Sequence, residues 1–246
     1  PNLARLTRDL WSDHLFAGCF ASIMVLMVLM MLLVSTLNIP RPPATPVGGE
    51  ARPFRTILGQ PGYMVAVLGA MVGYGVMNLL MSATPLAMKF YGHAFDDTAF
   101  VIQWHVVAMF APSFVTGSLI TRYGVVKVMT AGAAFLAASA AVNLSGTEME
   151  HFYASLMLLG VGWNFLFVGG TYLLTKSHRP SEKAWAQGFN DLIVFSTVTV
   201  SALSSGAVHY FAGWRMVNIG VLPVIAIVLA ALIWMAMINR KSAAAS

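Results

Sequence analysis

The sequence predicts an all-α polytopic membrane protein with about seven membrane-spanning helices. Three observations carry that prediction. First, the 246 residues are 58% hydrophobic and 9% charged, with a mean hydropathy of +0.76; soluble domains carry roughly 25% charged residues, so this chain needs lipid as its solvent. Second, seven separate stretches supply the roughly 20 apolar residues that a spanning helix requires. Third, the loops between those stretches alternate between basic and charge-poor.

The predicted spans are 14–38, 62–88, 98–120, 126–144, 152–174, 187–210 and 216–238. Residues 1–38 form an external segment plus the first span. Residues 39–61 hold Pro40, Pro42, Pro43, Pro46, Gly48, Gly49 and Pro53. Proline fixes φ and removes a donor, so this stretch reads as a non-helical linker. Residues 62–246 hold the remaining six spans, and no stretch reads as a soluble domain.

Loop charge gives the helices a direction. One set of loops carries Arg41, Arg52, Arg55, Arg122, Lys127, Lys176, Arg179, Lys183, Arg240 and Lys241, and the other only Arg5, Arg8, Lys89 and Arg215. The excess of cations marks the cytoplasmic side, so the linker and the C-terminus are expected there. Asp96, Asp97, Glu148 and Glu150 fall on the opposite face. Seven spans with an internal C-terminus put Pro1 outside. Five further spans ahead of it would give twelve in two halves of six, a layout shared by many secondary transporters.

Composition also excludes several function classes. The net charge of +5 comes from 14 Lys and Arg scattered between apolar runs, which fits membrane topology rather than a nucleic-acid footprint. A single cysteine, Cys19, excludes an internal disulfide and multi-cysteine zinc sites; within an apolar run it reads as a small buried hydrophobe. No Walker loop, dinucleotide fingerprint or nucleophile elbow is present, which argues against an ATP-driven pump or an enzyme.

Two pairs of residues suggest chemistry. Met77 and Met81 lie four apart on the second span and share one helix face. His105 and Met109 repeat that spacing on the third. Three neutral thioethers and an imidazole would suit Cu(I) over harder ions. Met27 and Met31 form a further pair in the first span with no evident role, so packing is the competing reading for Met-x-x-x-Met. An ionisable His within a span is rarer and more often functional. Among other polar groups, Trp163 and Asn164 sit mid-span, where they line a pathway or bond a neighbouring helix. Asn190 and Asp191 open the sixth span at its basic end. Asp191 reads as a first-turn acid favoured by the helix dipole, or as a proton or metal relay at an inner gate. Asn78 faces away from the methionine stripe, as an interhelical contact. His209 lies at the outer membrane edge. Gly160, Gly162, Gly169 and Gly170 read as packing positions.

The loop Gly117-Ser-Leu-Ile-Thr-Arg122-Tyr-Gly124-Val-Val-Lys127 resembles the G-x-L-x-D-R-x-G-R-[RK] gating loop of major facilitator transporters, in its second copy between helices eight and nine. The family's Asp is Thr121 here, and its second Arg is Val126. The resemblance implies a major facilitator fold in which the chain supplies helix six plus the C-terminal six-helix half, with the N-terminal half of the same transporter as its partner. Segments around Gln103-Trp-His105, Met109-Phe-Ala-Pro112, Gly160-Val-Gly-Trp163-Asn164 and Gln187-Gly-Phe-Asn190-Asp191, with the two paired motifs, resemble CcoA-like copper importers. That branch supplies copper to assembling haem-copper oxidase. The resemblance implies alternating-access import across the bacterial cytoplasmic membrane, with Met77, Met81, His105 and Met109 as metal residues. Copper is then the transported ion, and no cofactor is permanently bound. Two rival expectations stand beside it: a proton-coupled carrier of a small organic compound or drug, with His105 as the coupling group, and a non-transporting oxidase assembly factor.

Overall fold

The computed structural model describes residues 2–11, 14, 16–38 and 51–244, with backbone only for 241–244. Most of the expected linker therefore lies outside the described residues, including Pro40, Arg41, Pro42, Pro43, Pro46, Gly48 and Gly49, as does the side chain of Lys241. The chain divides into two units, residues 1–48 and 49–246.

In the first unit, a short helix α1 (Asn2–Thr7) packs on α2 (Ala17–Ser35). The Cys19 thiol donates to the Ala4 carbonyl at 3.2 Å, as expected of a small buried residue rather than a reactive one. The Thr7 hydroxyl donates to its sulfur.

The second unit is all helix among its described residues. Its elements are α3 (Phe54–Leu58), α4 (Pro61–Phe90), α5 (Phe95–Phe110), α6 (Ser113–Tyr123), α7 (Val125–Ser145), α8 (Met149–Ser177) and α9 (Lys183–Ala244). In lipid every backbone polar group must be satisfied within the protein, which leaves helices as the spanning element for such a chain. At about 1.5 Å per residue, the 30 residues of α4 reach about 45 Å, enough to cross a bilayer. Large apolar side chains such as Phe114, Leu203 and Phe211 stand exposed on the outer faces, as lipid requires.

One expected span differs. The span expected at 98–120 is a broken pair, α5 and α6, bent by 41°. Pro112 causes the break: it has no N–H to donate, and its ring clashes with the preceding turn. The spans expected at 187–210 and 216–238 are two helices folded back beside each other, the two arms of α9. Gly213 alone interrupts α9, with φ 77 and ψ 166, a left-handed conformation that glycine adopts without a Cβ penalty. This gives two arms, 183–212 and 214–244. Because the helix starts at Lys183, Asp191 stands in its third turn rather than its first.

Helix α8 is the hub, packing on α4, α5 and α7. A Cβ at Gly160 would lie 2.8 Å from the His105 carbonyl on α5, and one at Gly162 2.8 Å from the Gly132 carbonyl on α7. Only small residues permit such approach. Buried polar pairs complete the bundle. Asn143 donates to Asn218 at 2.8 Å, Ser139 meets Ser155 at 3.0 Å, and Asn78 donates to Ser201 at 2.8 Å.

The helices alternate in direction. Residues 61, 123, 125, 177 and 183 fall at one end, and residues 90, 95, 145 and 149 at the other. The basic end carries one buried ion pair that the sequence did not suggest. Glu182, in the polar turn between α8 and α9 and outside the spans, is 1% exposed. It accepts from Arg52 Nε at 2.8 Å, Arg52 Nη2 at 2.7 Å and the Arg179 backbone N–H at 2.9 Å. Arg52 also donates to the Ser177 carbonyl at 3.3 Å. These bonds tie the residues preceding α3 to the turn between α8 and α9.

The hydrogen bonds from Arg52 hold the Glu182 carboxyl well below the usual carboxylate range, against the opposing effect of its burial. A lowered pKa in the folded state stabilises the fold above the unfolded value, near 4.5, and that stability is lost as pH falls below it. Thermal unfolding of the purified protein in detergent, from about pH 7 to about pH 3, should show a midpoint that drops on acidification. Glu182→Gln should lower the midpoint at neutral pH and flatten that drop.

Candidate functional site

The break between α5 and α6 opens backbone groups at mid-membrane, and Asn164 on α8 meets them. Asn164 is fully buried. Its Nδ2 donates to the Met109 carbonyl and to the Ser113 hydroxyl, both at 2.7 Å, and its Oδ1 accepts from the Thr116 hydroxyl at 2.7 Å. Both amide hydrogens are committed. This side chain, expected either on a solute pathway or as a bond to a neighbouring helix, holds the two half-helices to α8.

Beside the break stands a cluster of rings from four elements. Trp163 and Phe167 on α8 lie stacked, with centroids 5.1 Å apart and planes 9° from parallel. Tyr74 on α4 meets both edge-on, at 5.4 Å and 5.5 Å. Phe110, the last residue of α5, stands T-shaped to Trp163 at 5.9 Å, and Phe195 on the 183–212 arm lies 6.3 Å from Tyr74. Phe110 and Phe195 are 57% and 58% exposed, so the cluster has a buried base and an open rim. Trp163 Nε1 is buried with no hydrogen-bond partner. Tyr74 and Trp163 each lie about halfway along helices of 30 and 29 residues, placing the cluster about 20 Å from either end. A flat apolar base, an unused donor and a discontinuous helix at mid-depth are the elements of a solute site.

Sequence reading singled out only Trp163 from this cluster. Tyr74 lies between Gly73 and Gly75, which themselves pack against Leu166 and Thr197. Phe110, Phe167 and Phe195 had no signal beyond being aromatic residues in mid-span.

The four expected metal residues are placed as follows. Met77 and Met109 are buried in the core, and Met81 packs against it half-buried. His105 is fully buried, with Nδ1 2.7 Å from the Leu156 carbonyl on α8. A carbonyl only accepts, so Nδ1 carries the hydrogen and Nε2 is left as an acceptor with no partner. Helix α5 packs chiefly on α8, and the His105 imidazole is anchored there through Leu156. Among the described residues no three His, Cys, Asp or Glu converge where a metal could sit.

These observations define a helical bundle with a broken helix and a mid-depth aromatic site. The family model described as Major Facilitator Superfamily matches residues 66–245. The chain belongs to the major facilitator superfamily. It is 41% identical to the riboflavin transporter RfnT of Brucella anthropi over 95% of this chain and 59% of that protein. It is 28% identical to the uncharacterized MFS-type transporter YddS of Bacillus subtilis over 76% of this chain and 43% of that one. A second Bacillus subtilis relative, the uncharacterized MFS-type transporter YdeG, is 33% identical over 54% of this chain and 31% of its own length. The chain thus spans 59%, 43% and 31% of these relatives' own lengths, less than two thirds of each. No solved structure matches it. The family and its named members are transporters, not enzymes, and the chain is a multi-pass membrane protein.

The facilitator loop lies at the basic end. Gly124 has φ 88 and ψ 144 and separates α6 from α7. A Cβ at Gly117 would meet nothing within 4 Å. Arg122 lies over the Tyr123 ring at 5.3 Å, and Lys127 is exposed. Asn190 is buried and donates to the exposed Asp191 at 3.1 Å, leaving its own Oδ1 without a partner.

Asn164→Ala removes three hydrogen bonds and strands a carbonyl in a dry interior. A buried group left unpaired costs roughly 1–3 kcal/mol. The thermal midpoint of the purified facilitator should fall markedly, and Ser145→Ala, an exposed position, should leave it unchanged.

Proposed function

We propose that the protein is a facilitator half that carries a small planar organic solute of the riboflavin class across the cytoplasmic membrane. One observation carries the reading: the mid-depth aromatic cluster with an unpartnered buried indole N–H. An isoalloxazine is flat and rimmed with carbonyl oxygens. Trp163 and Phe167 offer a face or edge to stack on, and Trp163 Nε1 offers a donor to a carbonyl. The named riboflavin transporter among the relatives supports the same class. Transport requires the N-terminal half as well, because the alternating-access cavity forms between the two halves. The excess of cations on loops 120–127 and 176–183 supports a cytoplasmic placement for that end.

Copper import, expected from the paired Met and His residues, draws no support from these relatives. The thioethers that suggested it are equally suited to filling a core. His105 fits the proton-coupling role better: its Nε2 is a buried acceptor fixed in one tautomer by Leu156. This supports the reading of a proton-coupled organic-solute carrier.

Riboflavin uptake by cells expressing the full-length protein tests the proposal. Trp163→Phe keeps an aromatic ring and loses the donor, so it should raise KM about three- to tenfold, the worth of one buried hydrogen bond. Excess copper should leave uptake unchanged. Copper accumulation that depends on the protein, with no riboflavin uptake, would overturn the assignment.

A further inference from the structure

A separate cavity of about 500 Å³ opens at the basic end, between the start of α7 and the close of the 214–244 arm. Gly124, Val126, Lys127, Leu232, Ile233 and Arg240 are among its lining residues. The rim carries two cations. Residues 117–130 and 232–240 contain no Asp or Glu, and among the described residues neither Lys127 nor Arg240 takes part in an ion pair. Arg52, at the same end, is by contrast paired with Glu182.

We propose that this cavity binds the phosphate headgroup of an anionic phospholipid. The cavity grades from charge to hydrocarbon along one helix. Leu232 lies eight residues before Arg240, about 12 Å deeper. The headgroup layer is about 5–7 Å deep on each side, so a step of about 12 Å passes through it into the acyl region, where Val126, Leu232 and Ile233 give the chains an apolar wall. A free phosphate would use the cations and none of the wall. Two cations at the edge of a spanning bundle, on the side the charge rule places inside, match an anionic headgroup in the cytoplasmic leaflet. Gly124 also leaves the first N–H groups of α7 without a side-chain cap at this rim. The site is independent of the solute reading, since it shares no residue with the aromatic cluster.

Native mass spectrometry of the purified full-length protein tests the site, with phosphatidylglycerol and phosphatidylcholine of identical acyl chains as probes. The wild type should retain phosphatidylglycerol about thirtyfold over phosphatidylcholine, a preference of the size two surface cations supply. Lys127→Gln with Arg240→Gln should abolish that preference. Lys127→Arg with Arg240→Lys should keep it, as should Lys89→Gln with Arg215→Gln at the opposite end. Equal retention of the two lipids, or an unchanged preference in the glutamine pair, overturns the proposal. So does displacement of phosphatidylglycerol by millimolar inorganic phosphate, which would mark a soluble-anion site.

Discussion

The structure depends on satisfying a broken backbone where no water is available. Pro112 interrupts a spanning helix at mid-depth, and each carbonyl exposed there would be costly in hydrocarbon. Asn164 donates to one of them, the Met109 carbonyl, and bonds the Ser113 and Thr116 hydroxyls beyond the break, all at 2.7 Å, which fixes α5 and α6 against α8. The closeness that makes those bonds possible comes from Gly160, one turn earlier on α8, which lets the α5 backbone approach. One small residue and one amide therefore position Phe110 at the break and Trp163 beside it. The aromatic site follows from the repair of the break.

Much of this fold was legible in the sequence, for a physical reason. Hydropathy is a sum over some twenty residues, so it survives local detail, and all seven expected spans coincide with helical segments. The packing glycines of α8 were legible because close helix approach in lipid needs small residues. The break at Pro112 escaped notice because the apolar window averages across it. The turn between the last two spans was legible as the interruption of the apolar run between residues 210 and 216, where the structure places the kink at Gly213. Glu182 left no local sign at all. Its partner Arg52 is 130 residues away, and such a pairing has no sequence period.

The site was less legible than the fold. Met-x-x-x-Met and His-x-x-x-Met are visible as spacing, yet spacing does not say which neighbour a side chain faces. In the structure His105 Nδ1 bonds the Leu156 carbonyl on α8, and Met77 and Met109 lie in the core with Met81 packed against it. The ring cluster draws on four elements, and only their packing assembles it. Asn164 illustrates the point from the other side. A polar residue mid-span reads equally as pathway or as glue, and the count of its committed hydrogens decides what it does here.

The account's central claim is that rings at mid-depth receive a flat solute. Stacking on indole or phenol quenches flavin fluorescence, so titrating riboflavin with the purified full-length protein reads the contact directly. The account predicts a saturable quench that is lost when Tyr74 and Trp163 are both replaced by alanine in a protein that remains monodisperse. A full quench in that double variant, or none in the wild type, would contradict it.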